Sequence, residues 1–147
     1  MRVLIQRVLE ANVVIEGQVH NSIKNGLVLF VGFTNTDDIS VVDRVINKIN
    51  GLRILEDSNQ KMNVSINDGH IEILSISQFT LYASVKKGKR PSFDLAAKPE
   101  VATKLYDYFN EELSKLFIVK TGIFQADMKV SLVNDGPLTI MIDSDEL

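Results

Sequence analysis

The spacing of hydrophobic residues changes along the chain and separates helical from extended segments. Residues 37–51 carry apolar side chains every three or four positions, which predicts an amphipathic helix with Gly51 just past its end. Residues 99–116 show the same spacing, and Pro99 marks the start of this second helix. The apolar positions are Ile39, Val42, Val45, Ile46 and Ile49 in the first helix and Val101, Leu105, Tyr108, Phe109 and Leu113 in the second.

The other hydrophobic segments have the pattern of strands, about eight in all. Residues 26–33 are almost continuously apolar, as in a strand buried on both faces. Helices and strands do not alternate strictly, so the pattern predicts an α+β fold. In it, a mixed or antiparallel sheet curls towards a barrel beside two amphipathic helices, in a single domain over residues 1–147. The strands are predicted at residues 3–8, 13–15, 26–33, 52–55, 62–66, 71–83, 119–133 and 138–143.

Composition removes several classes of chemistry. The chain has no cysteine, which excludes disulfides, thiolate nucleophiles and cysteine-based zinc sites. His20 and His70, the two histidines, lie near polar turn residues and are expected to be solvated, which disfavours a zinc site and a Ser-His-Asp triad. No cofactor is expected. No segment approaches the roughly 20 apolar residues of a membrane span. We therefore expect a soluble, cytoplasmic protein with no membrane partner.

One cluster of positive charge stands out from an acidic background. The net charge is −3 and the pI about 5.4, which argues against general nucleic-acid binding. Lys86, Lys87, Lys89 and Arg90, however, lie within five residues and surround a glycine. These residues form either a solvated loop or a phosphate-binding loop, and the acidic background favours the second interpretation.

Polar residues also occur where a central strand should be apolar, in "SQFTL", residues 77–81. Simple alternation of the two strand faces explains this pattern. A functional interpretation is a strand end that lines a pocket, where Gln78 and Thr80 offer an amide and a hydroxyl and Phe79 its backbone N–H. For Phe93 the core is favoured over stacking on a base. Asp127 is either a turn residue or a buried acceptor.

The segment "NDGPLT", residues 134–139, interrupts extended sequence on both sides. Asn-Asp-Gly alone would suit a hairpin turn, but a hairpin does not require the proline that follows. With these motifs in order over the whole length, the chain resembles the D-aminoacyl-tRNA deacylases. The resemblance rests on "MRVLIQRVLEANVVIEG", "SQFTLYA", "KGKRPSF" and "TGIFQADMKVSLVNDGPLT". Leu138, where that family often has valine, is a conservative departure.

The resemblance implies hydrolysis of the ester between a D-amino acid and the terminal adenosine of tRNA, with glycyl-tRNA as a slower substrate. It implies a homodimer in which the Gly136–Pro137 bond is cis and completes the partner's pocket. There the two carbonyls would exclude an L side chain. It assigns catalysis to Ser77, Gln78, Phe79 and Thr80, support of the substrate to Met128, Asn134 and Thr139, and tRNA binding to Lys86, Lys87, Lys89 and Arg90.

Two mechanisms remain open for such an enzyme. Backbone N–H groups near Phe79 can stabilise the oxyanion while the substrate's 2′-hydroxyl helps to activate water. Alternatively, Thr80 is the nucleophile. The first is favoured because no general base is evident near Thr80. The rival hypotheses are an RNA-binding module without turnover, a small-molecule-binding or purely structural dimer, and a peptidase acting on D-amino acids.

Overall fold

A computed structural model describes residues 1–147 as a six-stranded mixed sheet, a separate two-stranded sheet and two helices. Three short 3-10 helices cover Ile66–Asp68, Phe79–Tyr82 and Ser144–Glu146. No helix is both long and apolar enough to span a membrane. The remaining elements are β1 Arg2–Ile15, β2 Gln18–Ile23, β3 Gly26–Gly32, α1 Ile39–Asn50, β4 Leu55–Glu56, β5 Met62–Val64, β6 Glu72–Ser77, α2 Pro99–Ser114, β7 Ile118–Thr121 and β8 Lys129–Asp143.

Strand β1 organises the sheet. One edge pairs antiparallel with β8 along most of its length, and the other pairs with β3 and then with β2. Strands β3, β6 and β7 continue the sheet in parallel. The sheet curls until its ends meet, where Asn21 Nδ2 donates to the Thr121 carbonyl (2.7 Å) and Lys120 Nζ to the Ser22 carbonyl (2.7 Å). The predicted α+β class, with a mixed, nearly closed sheet and two helices, is confirmed.

Both helices pack on one face of this sheet and form the main core with it. Strand β3 is buried on both faces, as predicted: Leu27 and Leu29 join the main core and Val28 joins a second, smaller cluster. Asp38 caps α1 by accepting from the Val41 N–H, and Gly51 ends the helix. Ile39 and Val101 were predicted in the apolar stripes but are exposed, because each lies in the first turn of its helix.

Several strand predictions were wrong at their ends. Residues 3–8 and 13–15 belong to one strand, β1, because β8 pairs across the polar residues between them. The strand predicted at 71–83 ends at Ser77, and the segment 119–133 contains a loop between β7 and β8. Residues 52–55 and 62–66 are strand only at Leu55 and Met62–Val64.

Candidate active site

A cavity of about 700 Å³ opens where the parallel strands β3 and β6 end, beside the start of α2 and the β7–β8 loop. Ligands commonly bind at the carboxyl ends of parallel strands, and this volume is typical of a small-molecule pocket. Ser77, Gln78, Phe79 and Met128 line the cavity; of the three residues predicted at a pocket-lining strand end, Gln78 and Phe79 are present and Thr80 is not. Most of the lining is hydrophobic, so water is partly excluded and polar groups in the wall act in a low dielectric.

Residues 78–82, which we call the pocket turn, form one wall. The Gln78 N–H donates to the Val31 carbonyl (2.7 Å), and the chain then leaves the strand for the 3-10 helix Phe79–Tyr82. The N–H groups of Phe79 and Thr80 have no acceptor within the chain, as expected for the first residues of a helix without a side-chain cap. The pocket turn therefore presents two free backbone donors beside the cavity.

The side chains of the pocket turn face different surroundings. Gln78 Nε2 donates to Thr80 Oγ1, so the amide and the hydroxyl form one hydrogen-bonded pair. Thr80 itself is exposed and does not line the cavity. The alternation expected for a strand fails here because the segment is helical. Nothing in the local sequence shows that pairing with β3 stops here, because Val31, the last partner, lies far away in the chain.

Gly32 allows the pocket turn to lie directly on β3. An added Cβ at Gly32 would lie 2.8 Å from the Gln78 carbonyl oxygen and 3.2 Å from Leu81 Cβ. Any larger residue would therefore push the turn away from the sheet. Sequence reasoning missed this role, and the only available signal was a glycine that interrupts an otherwise apolar strand.

Two aromatic rings stand at the mouth of the cavity. Phe79 and Phe93 meet edge to face with their centroids 5.0 Å apart, and both are partly exposed. The favoured core position of Phe93 was therefore wrong, because the residue follows a surface loop and lines the pocket mouth. Asp127 also lines the mouth; it is exposed and pairs with Lys129 (Oδ2–Nζ 2.6 Å), so it is not a buried acceptor.

The basic loop, residues 86–90, lies next to this mouth. Its four cations are exposed and make no hydrogen bond or ion pair within the chain. Reciprocal backbone hydrogen bonds between Ser84 and Ser92 (2.8 and 2.9 Å) close the loop at its base, directly before Phe93. Four unpaired positive charges are thus held beside the pocket.

Residues 135–138 form a bulge in β8 rather than a hairpin turn. Gln6 pairs with Thr139 and Val8 with Asn134, so Arg7 alone opposes the four bulged residues and β8 continues in the same direction. The Gly136–Pro137 bond is cis, as expected. Both residues are exposed, and neither lines the cavity of its own chain. One chain therefore does not bring the Gly-Pro segment and the pocket turn together.

Two polar residues at the base hold this bulge in shape. Asn134 Nδ2 donates to the Arg7 carbonyl (3.0 Å) and to the Leu138 carbonyl (2.9 Å). Thr139 Oγ1 donates to Asn134 Oδ1 (3.3 Å) and accepts from Gln6 Nε2 (3.1 Å). Asn134 and Thr139 thus stabilise the bulge. Of the three residues assigned to support of the substrate, only Met128 lines the cavity.

Arg7 is a buried cation beneath the bulge that sequence reasoning missed. Its guanidinium pairs with Glu56 (Nη2–Oε1 2.9 Å) and Asp135 (Nε–Oδ2 2.9 Å), and Nη1 donates to the Ile54 carbonyl (2.9 Å). The contact with Asp135 is an ion pair without hydrogen-bond alignment. A charged residue at an inward position of β1 was the available signal. The guanidinium is buried while both carboxylates reach solvent, so the carboxylates compensate its charge from the surface side.

Titratable groups with shifted pKa values lie behind the pocket turn. Burial, followed by the carboxylates of Asp37 and Asp143, raises the pKa of the Tyr82 hydroxyl. Burial alone would raise the pKa of Asp143, but hydrogen bonds from Arg2 and the Asp145 N–H lower it. No three His, Asp or Glu side chains lie close enough together to ligate a metal ion.

Comparison with known proteins shows the family to which the chain belongs. A model of the family described as D-Tyr-tRNA(Tyr) deacylase matches residues 4–143. The chain belongs to the D-Tyr-tRNA(Tyr) deacylase family. A D-aminoacyl-tRNA deacylase of Listeria monocytogenes serotype 4a (strain HCC23) is 55% identical over 100% of this chain and 98% of its own length.

Two solved structures resemble the deacylase-family fold described here. A protein described as "c-Myc DNA Unwinding Element Binding Protein" is 37% identical, with a TM-score of 0.92 over 97% of this chain and 98% of that one. A probable eukaryotic D-amino acid tRNA deacylase is 17% identical, with a TM-score of 0.82 over 96% of this chain and 97% of that one. The second likeness shows the fold alone.

Proposed function

We propose that this protein hydrolyses the ester bond of D-aminoacyl-tRNA and releases the free D-amino acid and tRNA. The observation that carries the proposal is the pair of unpartnered N–H groups at Phe79 and Thr80, beside a largely apolar cavity. The family to which the chain belongs supports the same activity. Such an enzyme would act in the cytoplasm, where aminoacyl-tRNA is used.

The pocket turn supplies the chemistry that an activated ester needs. When water attacks the ester carbonyl, negative charge develops on the carbonyl oxygen, and preorganised backbone donors stabilise it. We assign this role to the N–H groups of Phe79 and Thr80, which have no acceptor within the chain. The substrate's 2′-hydroxyl helps to activate the water, so neither histidine nor cysteine is required. Gln78 positions Thr80 through their side-chain hydrogen bond.

Selection against L-amino acids is assigned to Gly136 and Pro137 of a second copy of the chain. Their carbonyls would accept hydrogen bonds from the substrate's α-amino group and occupy the space into which an L side chain projects. A D side chain points elsewhere, whichever amino acid it belongs to. Glycine has no side chain to clash, so glycyl-tRNA would be a slower substrate. The exposure of both residues at the bulge supports their insertion into a partner.

An apolar patch beside the bulge supports a homodimer as the working form. Leu4 of β1 pairs directly with Phe30 of β3 and Met141 of β8, so the three side chains share the outer face of the sheet. Met141 is exposed and the other two are half-buried. Apolar side chains that remain partly exposed together are typical of interaction surfaces. A second copy that packed through the same patch would bring its own bulge next to this face, because the bulge lies beside Met141 in β8.

The proposal is tested by incubating the purified protein with D-Tyr-tRNA and L-Tyr-tRNA side by side, in the presence of EDTA. Rapid loss of the D-ester alone is the expected result. Loss of both esters at the background rate would contradict it, and tRNA binding without turnover would then favour the RNA-binding module. Cleavage of free D-peptides instead would favour the peptidase.

Replacing Thr80 with alanine is expected to lower kcat by no more than about tenfold, because a backbone N–H remains after the hydroxyl is removed. The measurement is single-turnover hydrolysis of D-Tyr-tRNA. Gln78→Ala is the matched control, since it removes the other half of the same hydrogen bond. If hydrolysis falls to the uncatalysed rate in Thr80→Ala but not in Gln78→Ala, the result would favour Thr80 as the nucleophile.

Neutralising Lys86, Lys87, Lys89 and Arg90 with glutamine is expected to raise KM for D-aminoacyl-tRNA by roughly tenfold and to weaken its salt dependence, because phosphate contacts are lost. The kcat should not change. Hydrolysis of a short D-aminoacyl-adenosine should also be unaffected, because it lacks the tRNA phosphates. Arg44, Lys48, Lys61 and Lys104, which are exposed and outside the pocket lining, provide a charge-matched control. An unchanged KM would show that the basic loop does not bind tRNA phosphates and is only a solvated surface segment.

A further inference from the structure

Arg2, in the first pair of the β1–β8 ladder, contacts three different parts of the chain. Its Nε donates to Asp143 Oδ2 of β8 (2.8 Å), and its Nη1 donates to the Leu81 carbonyl (3.0 Å). The guanidinium carbon lies 4.7 Å from the centroid of the Tyr82 ring. Arg2 thereby connects the sheet to the C-terminal end of the pocket turn.

Few other hydrogen bonds attach the pocket turn, which also packs on Gly32 of β3 and buries the Tyr82 ring. At its start, the Gln78 N–H donates to Val31 (2.7 Å). Within the turn, Leu81 N–H donates to Gln78 (3.3 Å) and Ala83 N–H to Thr80 (2.9 Å). These two internal bonds fix the shape of the turn but not its orientation on the sheet. The hydrogen bond from Arg2 to the Leu81 carbonyl attaches its far end to β1.

The direction of the two free N–H groups depends on both attachments. Phe79 and Thr80 lie between Gln78 and Leu81, so rotation of the turn about its first attachment would redirect their N–H bonds. Oxyanion stabilisation requires donors within a narrow distance of the developing charge, and a displacement of about 1 Å can cost about 100-fold in rate. A side chain that stops this rotation thus affects the reaction without contacting the substrate.

We propose that Arg2 is a positioning residue, which holds the Phe79 and Thr80 N–H groups in place through the Leu81 carbonyl and the Tyr82 ring. The assignment rests on the proposed function of these two groups. Arg2 does not line the cavity and therefore acts through the turn rather than on the substrate. Asp143 orients the guanidinium, because their ion pair places Nε and leaves Nη1 for Leu81.

Arginine suits this position better than lysine. Its planar guanidinium has several donors in a fixed fork and stacks on aromatic rings, so one side chain holds a carboxylate, a carbonyl and a ring together. A lysine has a single flexible ammonium group and can retain the pair with Asp143 while losing the other contacts. The two residues are therefore expected to differ in their effect on the turn.

The test compares Arg2→Met, Arg2→Lys and Asp143→Asn with Arg53→Met as the matched control. Arg53 is also a surface arginine held by two hydrogen bonds, to the backbone and side chain of Asn63, but it is remote from the turn. We expect Arg2→Met to lower kcat for D-Tyr-tRNA by about 10- to 100-fold with KM within about twofold. Arg2→Lys and Asp143→Asn should lie between Arg2→Met and wild type, and Arg53→Met should match wild type.

A second measurement separates this inference from the proposed function. In ¹⁵N-¹H spectra, Arg2→Met should shift the amide signals of Phe79 and Thr80 and leave those of α1 unchanged, whether or not the protein hydrolyses the ester. Wild-type protein without deacylase activity would overturn the proposed function, while the spectra would still test Arg2. Equal kcat and unshifted amides in Arg2→Met and Arg53→Met, or a change confined to KM, would overturn the role of Arg2. If Arg2→Met does not fold, the same comparison is made with Arg2→Lys and Asp143→Asn.

Discussion

Replacing Gly136 with alanine is expected to lower hydrolysis of D-aminoacyl-tRNA by about 100-fold or more, because the bulge that carries the proposed selectivity carbonyls must move. Gly136 has φ +114°, a backbone conformation that L side chains rarely adopt. An added Cβ would also lie 3.0 Å from Arg7 Nη2 and 3.2 Å from the Leu138 nitrogen. Arg7 is held by Glu56 and Ile54 and cannot withdraw without losing those partners.

Gly17→Ala is the control for general backbone strain. Gly17 lies in the β1–β2 turn with φ +76°, and an added Cβ would meet nothing within 4 Å. This variant should lose about 1 kcal/mol of stability and keep its activity. The comparison uses single-turnover rates on D-Tyr-tRNA with thermal unfolding of both variants. If folded Gly136→Ala hydrolyses D-Tyr-tRNA at the wild-type rate, the bulge takes no part in the reaction.

The parts of the fold set by local periodicity were predictable from the sequence. The helical stripes through Val45 and Leu105 and the apolar run of β3 follow from burial against one large core, and burial repeats with the period of the element. The class of fold follows from the order of such elements. In the helical stripes the errors lie at Ile39 and Val101, where the periodic pattern extends into a helix turn that the core does not cover.

The candidate site was predictable only as a set of residue types. The last bond of the β3–β6 ladder joins the Gln78 N–H to the Val31 carbonyl, and the close approach of the turn that follows depends on Gly32. The shape of the β8 bulge depends likewise on Arg7 in β1. Each of these contacts joins residues distant in the chain, so no local pattern contains them. This is why the segment around Thr80 was wrongly assigned to a strand.

Replacing Gly32 with alanine is expected to lower kcat by about 100-fold, because the added methyl group would push the pocket turn off β3. The Cβ would lie 2.8 Å from the Gln78 carbonyl oxygen, a backbone atom next to the Phe79 N–H. The expected loss of stability, about 1–3 kcal/mol, is that of overpacking. Gly51→Ala is the matched control, since its Cβ would meet only ordinary contacts at 3.8 and 3.9 Å. Both variants are compared by single-turnover kinetics and thermal unfolding.

The two defective variants together test whether one chain's bulge serves the other chain's pocket. Gly136→Ala retains an intact pocket turn, and Gly32→Ala retains an intact bulge. If pockets are completed across a dimer, a mixed dimer contains one working pocket, formed by the turn of one chain and the bulge of the other. Random co-assembly of equal amounts should then restore about a quarter of the wild-type activity. If each bulge acts only within its own chain, every pocket in the mixture is defective, and co-assembly restores nothing.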